Sequence, residues 1–310
     1  MTRSGHAGAI AGDAGLKQRI VEFAASASLE ITSSDKGLPA SLAGRLPAGT
    51  TLYVAHTPNA TLADVAEAAC IAESAGFRGC PHIVARRIAS SAELATALDR
   101  LKRGGVSRVL LVAGDLTPPS GEFASTLDIL DSGALAAAGI EAVGVSGHPE
   151  GNPNIEAASI WEALARKQAY GERTGARVHI VSQFGFDPAA LVTWDRELTR
   201  HGIALPVHVG VAGPASLKSL AKYAMLCGIG ASLGALLTNP AALGTLRSLV
   251  KTVDEIFPAL VRLRDGALAR RLVKPHFFAF GGVMKTVEWL EAVRAGRFDI
   301  DADGAIVIHS

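Results

Sequence analysis

The chain is poor in the residues that mark several protein classes. Only three of its 310 residues are cysteines, and Cys70, Cys80 and Cys227 lie among apolar or small residues without metal-ligand spacing. That argues against a disulfide framework, and the thiols read as reduced and structural in a cytoplasmic protein. Neither sign of charge is in excess: 30 Lys and Arg face 29 Asp and Glu, leaving +1 and no basic stripe. The expectation is no nucleic-acid partner. No apolar run is long enough for a membrane span, so no membrane association is expected. The first fifteen residues are rich in Gly and Ala, include Asp13 and carry no signal-peptide block. Residues 1–17 therefore read as a flexible lead-in, with a single catalytic domain over 18–310. No P-loop is present.

What the chain has is apolar material, 49% against 19% charged, enough for a large core. Short β-like runs recur along it: SLEITSS (28–34), TLYVAH (51–56), RGCPHIVA (78–85), RVLLVAGD (108–115), EAVGVSGH (141–148), RVHIVSQFG (177–185), LPVHVGVAG (205–213) and PHFFAFGG (275–282). Helix-like stretches separate them. TLADVAEAACIAESAG (61–76) has helical apolar spacing with a Gly after its end, and SSAELATALDRLKRGG (90–105) opens on a Ser cap and closes on two glycines. The stretch 231–272 exceeds one crossover and reads as two helices. Eight strand–helix units without a break in composition predict an α/β fold, a single (β/α)8 TIM barrel; a doubly wound open sheet is the competing architecture. GIGASLG (228–234) approaches a dinucleotide fingerprint. Its last interval is one residue too long and it follows a helix, so a helix C-cap is the better reading.

In such barrels the carboxyl ends of the strands carry chemistry. Collected in order they present Glu30, His56 with Thr57, His82, Asp115, His148, Ser182 with Gln183, and Gly281–Gly282. Glu30 lies between Leu29 and Ile31, so it points to the face opposite theirs, the barrel lumen, where an unused carboxylate would be costly. Asp115 is either a turn residue or a group held up by its strand. His82 reads equally as a core histidine or a ligand group; His179 and His208 read as structural. Each of these groups comes from a different strand, and H-E-x-x-H is absent, so a metal site is the weaker reading.

Several ordered motifs resemble those of methylenetetrahydrofolate reductase, a flavin-containing (β/α)8 enzyme, over most of residues 20–300. They are L-E-I-T-S-S (29–34), G-C-P-H (79–82), G-D-L-x-P-P-S-G (114–121), F-A-S (123–125), H-P-E-G-N-P (148–153) and S-Q-F-G-F-D (182–187). The resemblance implies Glu30 as general acid and Asp115 as the carboxylate between pterin and flavin. It implies substrate contacts from Gln183, Phe184 and Lys285. Cofactor contacts would come from Thr57, His82, Ala113, Gly114, Asp115, Phe123, Ala124, His148, Asn152 and Lys167. The implied cofactor is FAD, with NADH or NADPH as hydride partner. The chain also departs from the family. Ala113 replaces an Arg before Gly-Asp, so a cation near the flavin is expected to be missing. His148 and Asn152 replace a Tyr and a His, and Glu172 falls where the family has a phosphate-binding Lys, leaving Lys167 or Arg173 to substitute. The family's late Arg falls near Gly282, with Lys285 as its replacement.

Two functions are carried forward. The first interconverts 5,10-methylene- and 5-methyltetrahydrofolate, in a direction these residues do not set, either through a flavin or directly with a nicotinamide. The alternative is a methyltetrahydrofolate-dependent methyltransferase or another pterin-binding barrel, which would use Asp115 and Gln183 but have no need of Glu30 as an acid. A pterin-binding regulatory module on a decayed barrel is a third, opposed by Glu30. Either enzyme takes a tetrahydrofolate-type small molecule as partner. A homo-oligomer is left open.

Overall fold

A computed structural model describes residues 4–152, 155–226, 251–280 and 282–309, with the side chains of 4–14 and 224–226 left aside. Cys227, the GIGASLG stretch, Gly281, Pro153 and the first part of 231–272 lie outside these residues.

Eight strands follow one another along the chain: β1 Ser28–Thr32, β2 Thr51–Ala55, β3 Arg78–Val84, β4 Arg108–Val112, β5 Ala142–Gly147, β6 Arg177–Phe184, β7 Val207–Ala212 and β8 Leu272–Phe278. They close in sequence order into a barrel, the (β/α)8 architecture expected, and the open doubly wound sheet is set aside. By contact the chain divides into two compact units. One holds Ser28–Ser182 with Arg196–His208; the other holds Met1–Ala27, Gln183–Asp195 and Val209–Ser310.

In the first unit, parallel pairing runs unbroken from β1 to β6. The register sets Glu30 beside Tyr53, and Tyr53 beside Cys80. Two residues on, it sets His82 beside Leu110, Leu110 beside Gly144, and Gly144 beside His179. Because strand side chains alternate between faces, these residues share the lumen face. Leu29, Ile31, Leu52 and Val54, all buried, take the opposite face. Two glycines fix the spacing. A Cβ on Gly79 would lie 2.1 Å from the Ala69 carbonyl oxygen, so β3 and the helix Leu62–Ser74 approach closely there. A Cβ on Gly144 would meet Leu110 Cδ1 at 2.9 Å and His179 Nε2 at 3.1 Å, so its absence makes room for the imidazole.

The helices begin where the sequence signals them. Leu62–Ser74 starts on a capping box between Thr61 and Asp64, and Ser91–Arg103 is capped by the Ser90 hydroxyl, which accepts from Glu93 N–H.

The second unit is built around aromatic packing of Phe23, Phe257, Phe277 and Trp289, with ring centroids 5.1–5.9 Å apart. Phe23 belongs to the helix Ser4–Ala25, which also buries Leu16 and Ile20. The boundary expected after residue 17 falls inside this helix. Of the two helices expected over 231–272, the described part holds Val253–Asp265. A two-stranded hairpin, β9 Phe298–Ile300 with β10 Ile306–Ile308, was not anticipated. Its turn uses an Asp-Gly pair, with Gly304 at φ +84, a recognised hairpin signal. Among the described residues no helix is long and apolar enough to cross a membrane.

Candidate functional site

The most perturbed group is Glu30. Burial in the lumen pushes its carboxyl up to about 8, so it is largely protonated at neutral pH. Its neighbour is His82, whose Nε2 stands 3.6 Å from Glu30 Oε2, with side-chain exposures of 11% and 20%. Burial, helped by the nearby His56, pushes His82 down to about 3. Two neutral groups therefore face each other, a little beyond hydrogen-bond range. The sequence placed His82 at a strand end; it sits inside β3, which runs on to Val84.

His56 follows β2. Its Nε2 is 3.0 Å from the Ala60 carbonyl, and burial lowers its pKa. Deeper in the lumen, Tyr53 Oη lies 3.0 Å from His179 Nε2 and 3.3 Å from His208 Nδ1. The two imidazoles are 4.1 Å apart by ring centroid. Tyr53 was not singled out from the sequence; its signal was the even spacing Thr51–Tyr53–Ala55 on the lumen face.

Asp115 does not finish the strand. β4 ends at Val112, and Asp115 stands three residues on, in a bend, with its side chain 83% exposed. Gly114 makes the turn with φ +88, and a Cβ there would lie 2.5 Å from Val84 Cγ1. A cation does stand beside Asp115: Arg87, from the turn after β3. Its guanidinium donates to Asp115 Oδ1 at 3.4 Å and to the His56 carbonyl at 3.2 Å. Arg86 donates to the Ala124 carbonyl at 2.8 Å. The Ala-Arg-Arg turn after β3 thus ties down the loop carrying Ala113, Gly114, Phe123 and Ala124, with Phe123 buried. The positive charge beside Asp115 thus comes from the element after β3 rather than from position 113. Thr57, beside His56, is half-buried.

A second cluster joins three residues the sequence singled out. Asn152 Nδ2 lies 3.4 Å from His148 Nε2. Lys167, in the helix Ala157–Thr174, is 8% exposed and close enough to lower the His148 pKa further. Burial pushes Lys167 down to about 8. Among the described residues its ammonium makes no hydrogen bond or ion pair. Arg173, the other candidate substitute, is exposed and lies over the Tyr170 ring, 5.7 Å from its centroid. A cation on a mostly buried side chain, near the His148 imidazole, suits an anionic group such as a phosphate.

Gln183, Phe184 and Lys285 belong to the second unit. Gln183 Oε1 accepts from the Phe184 N–H at 3.1 Å. Phe184 is 1% exposed and packs edge-on to Phe186 and Phe280. Half-buried rings lie above it: Phe278 and Phe280 stack at 10°, and Tyr223 stacks on Phe280 at 4.2 Å. Sequence reasoning missed this aromatic stack, whose signal was H-F-F-A-F at 276–280. Lys285 is exposed.

Comparison with known proteins bears on this arrangement. A family model described as methylenetetrahydrofolate reductase matches residues 46–238, well over half of the chain. Glu30 lies outside the matched stretch. Among solved structures, an uncharacterized protein from Clostridium thermocellum, described as binding two copies of 5-methyl-5,6,7,8-tetrahydrofolic acid, superposes with a TM-score of 0.50 at 12% identity, covering 90% of this chain and 97% of its own. Dihydropteroate synthase from Thermus thermophilus reaches a TM-score of 0.42 at 12% identity, covering 86% and 93%. At 12% identity the likeness to the Clostridium thermocellum protein is one of fold.

Proposed function

The chain belongs to the methylenetetrahydrofolate reductase family, and from that premise we propose that it interconverts 5,10-methylene- and 5-methyltetrahydrofolate. The observation that carries this reading is Glu30, a carboxylic acid kept protonated by burial in the lumen. To reduce the methylene bridge, a carbon–nitrogen bond must open to an iminium, and protonating the leaving nitrogen lowers that barrier. A carboxyl with a pKa near the working pH is suited to the task and contributes roughly 100- to 10,000-fold. A methyltransferase would not need such an acid. The solved neighbour described as binding 5-methyltetrahydrofolic acid agrees with a folate ligand.

Asp115, held by Arg87, is assigned to the pterin. FAD is the proposed cofactor, with Lys167, His148 and Asn152 holding a phosphate and Thr57, Ala113, Gly114, Phe123 and Ala124 lining its path. When bound it would supply the hydride, itself replenished by NADH or NADPH. A reductase using the nicotinamide directly would place the same demand on Lys167.

The test is to incubate purified protein with 5,10-methylenetetrahydrofolate and NADH or NADPH, with and without added FAD, and to quantify 5-methyltetrahydrofolate by mass spectrometry. Enzyme-dependent product supports the proposal; no product under any combination refutes it. Flavin absorbance in the purified protein separates the flavin route from the direct one.

A further inference from the structure

Giving up a proton leaves Glu30 as a carboxylate in a lumen that disfavours charge, and something must hold it there. Within its unit the titratable groups at neighbouring lumen positions are Tyr53, Cys80 and His82, with His56 close to His82. The Tyr53 hydroxyl is engaged by His179 and His208. Cys80, next to Tyr53 in register, is a weak donor. His56 donates its Nε2–H to the Ala60 carbonyl, so its Nδ1, also buried without a partner, carries a lone pair and has no proton to offer a carboxylate. On β4 the lumen positions Leu110 and Val112 are apolar. His82 Nε2 remains, buried, 3.6 Å from Glu30 Oε2, and without a hydrogen bond among the described residues. A buried nitrogen in that condition costs stability unless a later state uses it.

We propose that His82 is the positioning residue of the acid, its Nε2–H placed to donate a hydrogen bond to the Glu30 carboxylate that remains after proton transfer. The inference rests on the assignment of Glu30 as the acid. In the transfer the Glu30 O–H bond breaks as the substrate N–H bond forms, and the electron pair stays on Glu30. His82 keeps its proton throughout, and Glu30 regains one from solvent before the next turnover. That His82 is neutral matters. An imidazolium would hold Glu30 ionised and leave it no proton to give, whereas a neutral N–H leaves the acid intact and stabilises its conjugate base. The gap of 3.6 Å closes to hydrogen-bond length with a small side-chain rotation once charge appears.

The test uses the full chain, labelled with ¹⁵N-histidine and free of folate, followed by long-range ¹H–¹⁵N NMR from about pH 6 to about pH 10. The expected result is a neutral His82 protonated on Nε2, whose ¹⁵N shift moves through a transition near 8, matching Glu30, and loses that transition in Glu30→Gln. An Nδ1–H tautomer, or a transition that survives Glu30→Gln, overturns the proposal. A second arm compares His82→Gln, which keeps an N–H donor, with His82→Leu, which does not. Methylene reduction by His82→Leu should show a kcat about tenfold or more below that of His82→Gln with similar KM, as for a lost hydrogen bond to a charged group. Equal kcat values overturn it. The NMR arm contains no substrate, so a chain that fails to reduce the folate but shows the shared transition loses the acid assignment and keeps the pair.

Discussion

Replacing Glu30 with Gln should make the protein more stable, and increasingly so as pH rises. The carboxyl titrates near 4.5 when exposed and at about 8 in the folded chain. A group whose folded pKa is raised contributes full stability below its unfolded value and loses it as pH climbs toward the folded one. At about 1.4 kcal/mol per pKa unit, the wild type is weakened by about 3 kcal/mol at pH 7 and by close to 5 above pH 8. Glu30→Gln has no charge to bury and escapes this loss. His82 is common to both proteins, so its own acid-side penalty cancels. Urea unfolding of both proteins at about pH 5 and about pH 8.5 should show the gap between them widen by about 3–4 kcal/mol, toward a more stable variant. A gap that is constant with pH would mean that Glu30 titrates normally, and the case for a buried acid would fall with it.

Lys167→Met should stabilise the ligand-free protein by up to about 3 kcal/mol at pH 7, because a cation pushed from 10.5 down to about 8 is removed, while weakening dinucleotide binding. Paired thermal melts and FAD titrations check both halves. Asp115→Asn should cost under about 1 kcal/mol in stability, since its pairing with Arg87 is solvent-exposed; folate affinity should drop, and wild-type affinity in a folate titration would return Asp115 to a turn residue. Tyr53→Phe removes the hydroxyl between His179 and His208 and should cost about 1–3 kcal/mol, read from the urea midpoint.

The barrel was legible because each strand carries its own punctuation. Runs such as RVLLV and AVGVSG are apolar, short and bounded by Gly or polar turns, and the helices Leu62–Ser74 and Ser91–Arg103 announce their starts with Thr61 and Ser90. Glu30 was legible for the same local reason, since Leu29 and Ile31 fix its face. What local pattern cannot show is which distant element answers a charge. The cation beside Asp115 comes from Arg87, one strand earlier, and its pairing depends on how two loops fold over each other. The partnership of Glu30 and His82 arises from the register between β1, β2 and β3, and the Tyr53–His179–His208 trio from the room left by Gly144. Leu16, Ile20 and Phe23, with one apolar residue per turn, give the helix they belong to a face to bury, a pattern that straddles the boundary drawn at residue 17.

The central claim is that Glu30 delivers a proton to the folate. Its most direct test is a rapid-quench single turnover in which wild type and Glu30→Gln, each saturated with 5,10-methylenetetrahydrofolate and charged with the hydride donor, are assayed for 5-methyltetrahydrofolate. The variant should bind the folate with near-normal affinity yet form product at least about 100-fold more slowly. Product formed by Glu30→Gln at the wild-type rate would contradict it.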